Sequence, residues 1–227
     1  MARKITKKEI EKPDSFQTAL SRIAAYISAN KSKIYLASGV VILIVIASSG
    51  WYLYRMNYED KAQRLYAIAN IGNMKAARQG PKPDQNVIKM YDDVISQYPG
   101  SKAATLAYYQ MGNMYYNLGD VDASIKAYAE FLKEVPDESD LKILAYNGIG
   151  YCYEKKADLP HALESFEKAA SAKSGGGFES MTYRNIARIY EEMNNKEKAM
   201  EYYQKALSNT ADPSMQLLLK KIISTIN

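Results

Sequence analysis

One histidine, His161, and one cysteine, Cys152, are all that this 227-residue chain offers to chemistries that need an imidazole or a thiolate. Metal clusters of the His-Cys kind and internal disulfides need more such side chains than that. Cys152 stands between Tyr151 and Tyr153 and reads as a small core residue, while His161 follows Pro160 and reads as a surface or capping residue. The run Gly175-Gly176-Gly177 has no following Gly-Lys-Ser/Thr and no preceding strand, so it is a flexible loop and not a phosphate cradle. The acid pairs Asp92-Asp93, Asp137-Glu138 and Glu191-Glu192 lie among equal numbers of bases, the pattern of solvated helix faces. The expectation is a protein without catalytic residues, cofactor or metal, whose chemistry is that of contact.

Twenty tyrosines supply most of that contact chemistry, and their spacing shows which elements must carry them. Tyr108, Met111, Gly112, Tyr115, Leu118, Gly119, Ser124, Tyr128, Phe131 and Pro136 define a pattern. It returns at Tyr146, Ile149, Gly150, Tyr153, Ala162, Phe166 and Ala169, and again at Tyr183, Ile186, Ala187, Tyr190, Ala199, Tyr203 and Ala206. A unit of this kind is two helices joined by a turn, and recurrence at a fixed period marks a stacked array. Glycine inside a helix costs about 1 kcal/mol against alanine, so Gly112 and Gly150 need a packing reason. A missing Cβ that lets the second helix of the pair approach closely is the expected one.

These residues resemble the tetratricopeptide repeat, with its order of aromatic, Leu-Gly, Tyr, Ala, Phe/Tyr, Ala and Pro. The match covers about residues 104 to 213. It departs in its longer period, in the Lys173-Ser174-Gly175-Gly176-Gly177 ending of the second unit, and in Ala187 at the glycine position of the third. The resemblance implies an all-α solenoid whose inner wall is made by the first helix of each pair. It assigns to that wall Leu106, Tyr109, Asn113, Tyr116 and Asn117, then Leu144, Asn147, Tyr151 and Glu154, then Met181, Arg184, Arg188 and Glu191. Tyr109, Tyr116 and Tyr151 lie outside the repeat's own packing positions. With Asn113, Asn147, Arg184 and Arg188 they form the candidate groove for a peptide or unfolded segment, Tyr offering a flat face with a hydroxyl and Asn paired donor and acceptor contacts. The alternative is that these side chains pack against the terminal helix or a neighbouring first helix. Some members of the family hold a C-terminal carboxylate with Lys, Asn and Arg, but here Tyr109 replaces the Lys.

On either side of the three repeats, at residues 104–212, the chain is helical in pattern. Residues 55–103 read as a linker helix and a degenerate first pair, with helices near 58–78 and 84–98 separated by Gly80-Pro81-Lys82-Pro83. After Pro213, residues 213–227 form a terminal helix with Met215, Leu217, Leu218, Leu219, Ile222, Ile223 and Ile226. Arrays need a cap on their last face, yet seven large apolar side chains exceed one face. Leu218, Ile222 and Ile226 are therefore candidates for capping or for docking a partner, a second copy included.

Ile34 to Tyr54 is an uncharged, strongly apolar run. At about 1.5 Å per residue it reaches roughly 31 Å, the thickness of a bilayer's hydrocarbon core. Trp51, Tyr52 and Tyr54 mark its end as an interface. The whole net charge of +5 sits in residues 1–33, which carry eight Lys or Arg and three acids. The positive-inside rule then keeps this tail in the cytoplasm and exports the remainder. A cleaved signal peptide, with Ala47 and Ser49 as the small residues of its site, is the alternative. In the tail, Phe16, Leu20, Ile23 and Ile27 share one helical face and Asp14 is a candidate N-cap, giving an amphipathic helix over about 15–29 at the inner membrane surface. Confinement of the basic excess to the tail argues against a nucleic-acid partner.

Asn30-Lys31, Gly39-Val40, Gly50-Trp51, Tyr54 and the Ala-rich helix that follows are similar to the membrane-anchored ancillary subunit of the bacterial Sec translocon, the YfgM-like family. That resemblance, over about residues 20 to 75, implies a single-pass inner-membrane protein with a periplasmic repeat domain. Its implied partners are translocon or chaperone components and exported chains. A docking subunit of another envelope complex, in cell-wall synthesis, secretion or electron transport, is the alternative.

Overall fold

The computed structural model describes residues 15–80, 84–136, 139–172 and 177–226. Asp14, the Pro81-Lys82-Pro83 part of the expected break, the Asp137-Glu138 pair and residues 173–176 of the glycine loop lie outside the described residues. Among the described residues there are ten helices and no strand. By chain contacts they divide into two compact units, Met1–Met56 and Asn57–Asn227.

The N-terminal unit holds α1, Ser15–Ala29, and the first part of α2, Lys31–Gln79. Phe16, Leu20, Ile23 and Ile27 of α1 are all exposed, so its apolar face is not buried against the other described residues of the unit. None of the apolar run is buried, and α2 is long and apolar enough to cross a membrane.

The C-terminal unit begins with the remainder of α2 and continues with α3 (Gln85–Gln97), α4 (Lys102–Leu118), α5 (Val121–Glu134), α6 (Asp140–Lys155), α7 (Leu159–Ser171), α8 (Glu179–Glu192), α9 (Lys196–Ser208) and α10 (Pro213–Ile226). From α3 to α10 each helix packs on the next, and α4 also meets α6, which is the connectivity of a solenoid of helix pairs. The caps repeat with the array. Asp120, Asp158 and Asn195 stand at the start of α5, α7 and α9, and each side chain accepts the backbone N–H three residues on, from Ala123, His161 and Lys198. His161 belongs to this device: its Nδ1 lies 2.8 Å from the Asp158 carboxylate and its ring stacks on Tyr153.

Glycine sets the spacing within the pairs. A Cβ on Gly112 would lie 2.7 Å from the Tyr128 ring, and one on Gly150 would lie 2.5 Å from that of Phe166. The close approach expected of both glycines is therefore present, each against the second helix of its own pair. Gly148 is a further case, since its Cβ would lie 2.6 Å from the far edge of Tyr128. The ring is thus held between α4 and α6, its hydroxyl donating to Asn113 at 2.7 Å.

Three apolar clusters run along the unit. The first joins Ala62 and Ala69 of α2 to Val87, Tyr91 and Val94 of α3 and to Ala103, Ala107 and Met111 of α4. The second centres on Tyr128, Phe131, Ile149 and Cys152. The third runs from Phe166 through Ile186, Ile189 and Tyr203 to Leu219 of α10, with Met215, Ile222, Ile223 and Ile226 packed beside it. Helix α10 thus covers the last repeat with five of its seven large apolar side chains. Leu217 and Leu218 stay outside, at 72% and 45% exposure.

Candidate functional site

The expected wall of α4, α6 and α8 is continuous, because side chains reach from each first helix to the next. Lys155 of α6 places its ammonium 5.1 Å from the centre of the Tyr116 ring of α4. Arg188 of α8 forms a bidentate ion pair with Glu154 of α6 and has Glu192 at 3.7 Å. Asn185 of α8 donates to Asn147 Oδ1 at 2.8 Å and to the Tyr151 hydroxyl at 2.7 Å. Asn147 in turn donates to Thr182 Oγ1 at 3.0 Å and to the Ile143 carbonyl at 2.9 Å.

These contacts sort the seven candidates. Asn147 is buried at 1% exposure with its amide fully engaged inside the wall. Asn113 is half-buried and accepts from Tyr128. Tyr109 lays its ring on Tyr128 and Phe131, and Tyr151 lies edge-on to Phe166, so both rings pack on the second helix of their own pairs. Burial pushes the Tyr109 hydroxyl's pKa up, the Asn113 hydrogen bond opposing. Arg188 is neutralised by its two carboxylates. Tyr116 and Arg184 are left with most to offer a ligand. Burial raises the Tyr116 hydroxyl's pKa, Cys152 and Tyr151 add to the effect, and Arg188 counters it. Arg184 is half-buried, with the Met215 sulfur 3.9 Å from Nη1.

The structure therefore brings Asn147, Tyr151 and Arg188 together with partners of their own, and it does not assemble Asn113, Asn147, Arg184 and Arg188 into a free carboxylate clamp. Asn185 is the residue that sequence reasoning missed. Its signal was available: a polar side chain in the stripe Thr182, Asn185, Ile186 and Ile189, where helical spacing otherwise marks core.

Chemistry of other kinds finds little support. Cys152 is fully buried and donates to Ser124 Oγ at 3.2 Å, while Ser124 donates to the Gly112 carbonyl at 2.8 Å. Burial raises the thiol's pKa, which opposes the thiolate form that nucleophilic and redox roles require. Among the described residues no group of three or more His, Cys, Asp or Glu could hold a metal ion.

Models of the tetratricopeptide repeat match the sequence at residues 106–138, 143–175 and 182–213. Solved structures with the same architecture include MamA, at 18% identity and a TM-score of 0.51 over 65% of this chain and 72% of that one. A MamA double mutant matches at 20% identity and a TM-score of 0.57, covering 74% and 84% of the two chains. A putative kinesin light chain of Podospora anserina with TPR-like repeats gives 10% and 0.56, over 74% and 86%. At these identities the likeness is one of fold. No curated protein matches the sequence. The chain carries three tetratricopeptide repeats in an all-helical solenoid, and such repeats are typically non-catalytic scaffolds for protein–protein interaction.

Proposed function

We propose that the protein is an inner-membrane-anchored scaffold whose repeat domain works in the periplasm, at or near the Sec translocon, assisting exported chains together with chaperones. The observation that carries this reading is the joining, in one chain, of an exposed apolar run at Ile34–Tyr54 to three repeats of a protein-binding type. The charge asymmetry across that run supports the orientation. Tyr116 and Arg184 are the groove residues with the least internal engagement, and an extended segment crossing α4, α6 and α8 would meet both. Tyr109, Asn113 and Tyr151 contribute the apolar and amide floor, and Arg188 is held in its ion pair with Glu154.

Photocrosslinking amino acids at Tyr116 and Arg184 in living cells test the reading. Capture of translocon components or of nascent exported chains is the expected result. Capture of one unrelated, stoichiometric complex overturns it. A reporter fused after Asn227 tests the placement separately: activity confined to the cytosol removes the periplasmic assignment.

A second reading, a fixed docking subunit of another envelope complex, is favoured by Leu217 and Leu218, which face outward on a helix otherwise packed as a cap. Replacing both by Asp leaves the capping residues in place. Loss of a stable complex, or of a dimer formed through α10, supports docking through this helix, while unchanged groove crosslinks support the first reading.

A further inference from the structure

The other end of the solenoid is finished differently. Helix α2 buries Ala62 and Ala69 against α3 and α4, with Leu65 and Ala76 on the same side. Ile68, Ile71 and Met74 stand on the side away from that contact, exposed at 53%, 53% and 61%. They are spaced i, i+3, i+6 and so form one ridge, the shape that enters the groove of a second helix crossing at about 20°. An array's terminal helix ordinarily presents a polar outer face, which keeps the end of the stack soluble. This one presents three large apolar side chains among exposed cations.

Charge narrows the choice of occupant. Lys61 and Arg64 are exposed within two turns before the ridge, and Lys75 and Arg78 flank its far end. None of the four forms an ion pair with a carboxylate among the described residues. Asp60 is the exposed acid on this stretch, since Glu59 is turned toward the start of α4. A second copy laid ridge to ridge would set these cations against one another, which like-charge repulsion opposes. A bilayer surface needs a broad apolar face, and a single three-residue ridge is too narrow for one.

We propose that the outer face of α2 between Lys61 and Arg78 docks an acidic amphipathic helix of a partner protein, which adds one more layer to the helical stack. Apolar side chains of the partner would pack about Ile71, and its carboxylates would pair with the four cations. The proposal is independent of the groove formed by α4, α6 and α8.

The test uses the full chain in nanodiscs of zwitterionic lipid and a dye-labelled synthetic amphipathic peptide bearing Leu on one face and Glu on the flanks. Fluorescence anisotropy should show binding of this peptide and at least tenfold weaker binding of its counterpart with Lys for Glu. Ile71→Asp, a change at an exposed position, should weaken the Glu peptide about tenfold or more. The double variant Arg64→Glu, Lys75→Glu should reverse the preference in favour of the Lys peptide. Equal binding of the two peptides, or binding that survives Ile71→Asp, overturns the proposal. So does self-association that Ile71→Asp abolishes, which makes the occupant a second copy. Association with anionic vesicles that is lost in Ile71→Asp, in the absence of peptide binding, also overturns it in favour of lipid.

Discussion

Asn185 and Asn147, 38 residues apart and both buried at 1% exposure, share a hydrogen bond of 2.8 Å between the first helices of successive repeats. Among the described residues no buried side-chain nitrogen or oxygen lacks a partner, so the network of Asn147, Thr182, Asn185 and Tyr151 is complete. A complete network specifies register, whereas an interrupted one leaves a desolvated group unpaired.

Asn185→Leu should therefore destabilise the C-terminal unit by about 1–3 kcal/mol, the cost of an orphaned buried polar group. Asn147→Leu with Asn185→Leu should cost less than the sum of the two single changes, because one partner is no longer stranded beside the other. Urea unfolding of the four proteins measures this coupling, and strict additivity would refute it.

Gly148 and Gly72 should respond in opposite directions to alanine. At Gly148 the new methyl would lie 2.6 Å from a tyrosine ring that Gly112 confines on its other face. Overpacking of this kind costs about 1–3 kcal/mol, more than the gain of up to about 1 kcal/mol from helix propensity. At Gly72 the nearest atom is the flexible Met90 sulfur at 3.2 Å, which can move aside. Gly72→Ala should raise the melting temperature and Gly148→Ala should lower it, by calorimetry.

Glu59 accepts the backbone N–H groups of Lys102 at 3.0 Å and Ala103 at 3.2 Å, tying α2 to the first turn of α4. Beside it the Tyr58 hydroxyl donates to the Pro99 carbonyl at 3.0 Å. Glu59→Ala removes a cap made from a distance and should cost about 1 kcal/mol. Amide hydrogen exchange should quicken at residues 102–103 more than at 121–123, where Asp120 caps α5 independently.

Alkaline pH should loosen the unit from within. Burial pushes Tyr91 up to about 12, and burial with the nearby Glu191 carboxylate does the same for Tyr203. A tyrosine is neutral when protonated, so a folded value above the ordinary 10.0 means that the unfolded chain loses its proton first. The stability these groups contribute is whole below pH 10 and is lost as pH rises through their folded values. Urea midpoints should fall across that interval, and Tyr91→Phe should flatten part of the fall.

Local pattern was enough to read the helical architecture. Periodic aromatics and small residues revealed three helix pairs, an unbroken apolar run revealed a span-length helix, and Gly112 and Gly150 announced close helix contacts. The N-caps Asp120, Asp158 and Asn195 recur at shifts of 38 and 37 residues, a signal that the sequence reading did not use. All of these depend on neighbours within a few residues, where helical geometry fixes which side chains share a face.

What a face then touches is a separate matter, set by helices tens of residues away. Only the folded chain decides that Asn147 spends its amide on Thr182 and Asn185, that Tyr109 lies on Phe131, that Glu59 reaches across to α4, and that Leu217 and Leu218 stay outside while Leu219 is fully buried. The helical period states the direction of a side chain from its own axis. Which partner waits there depends on the angle and depth at which the next helix packs.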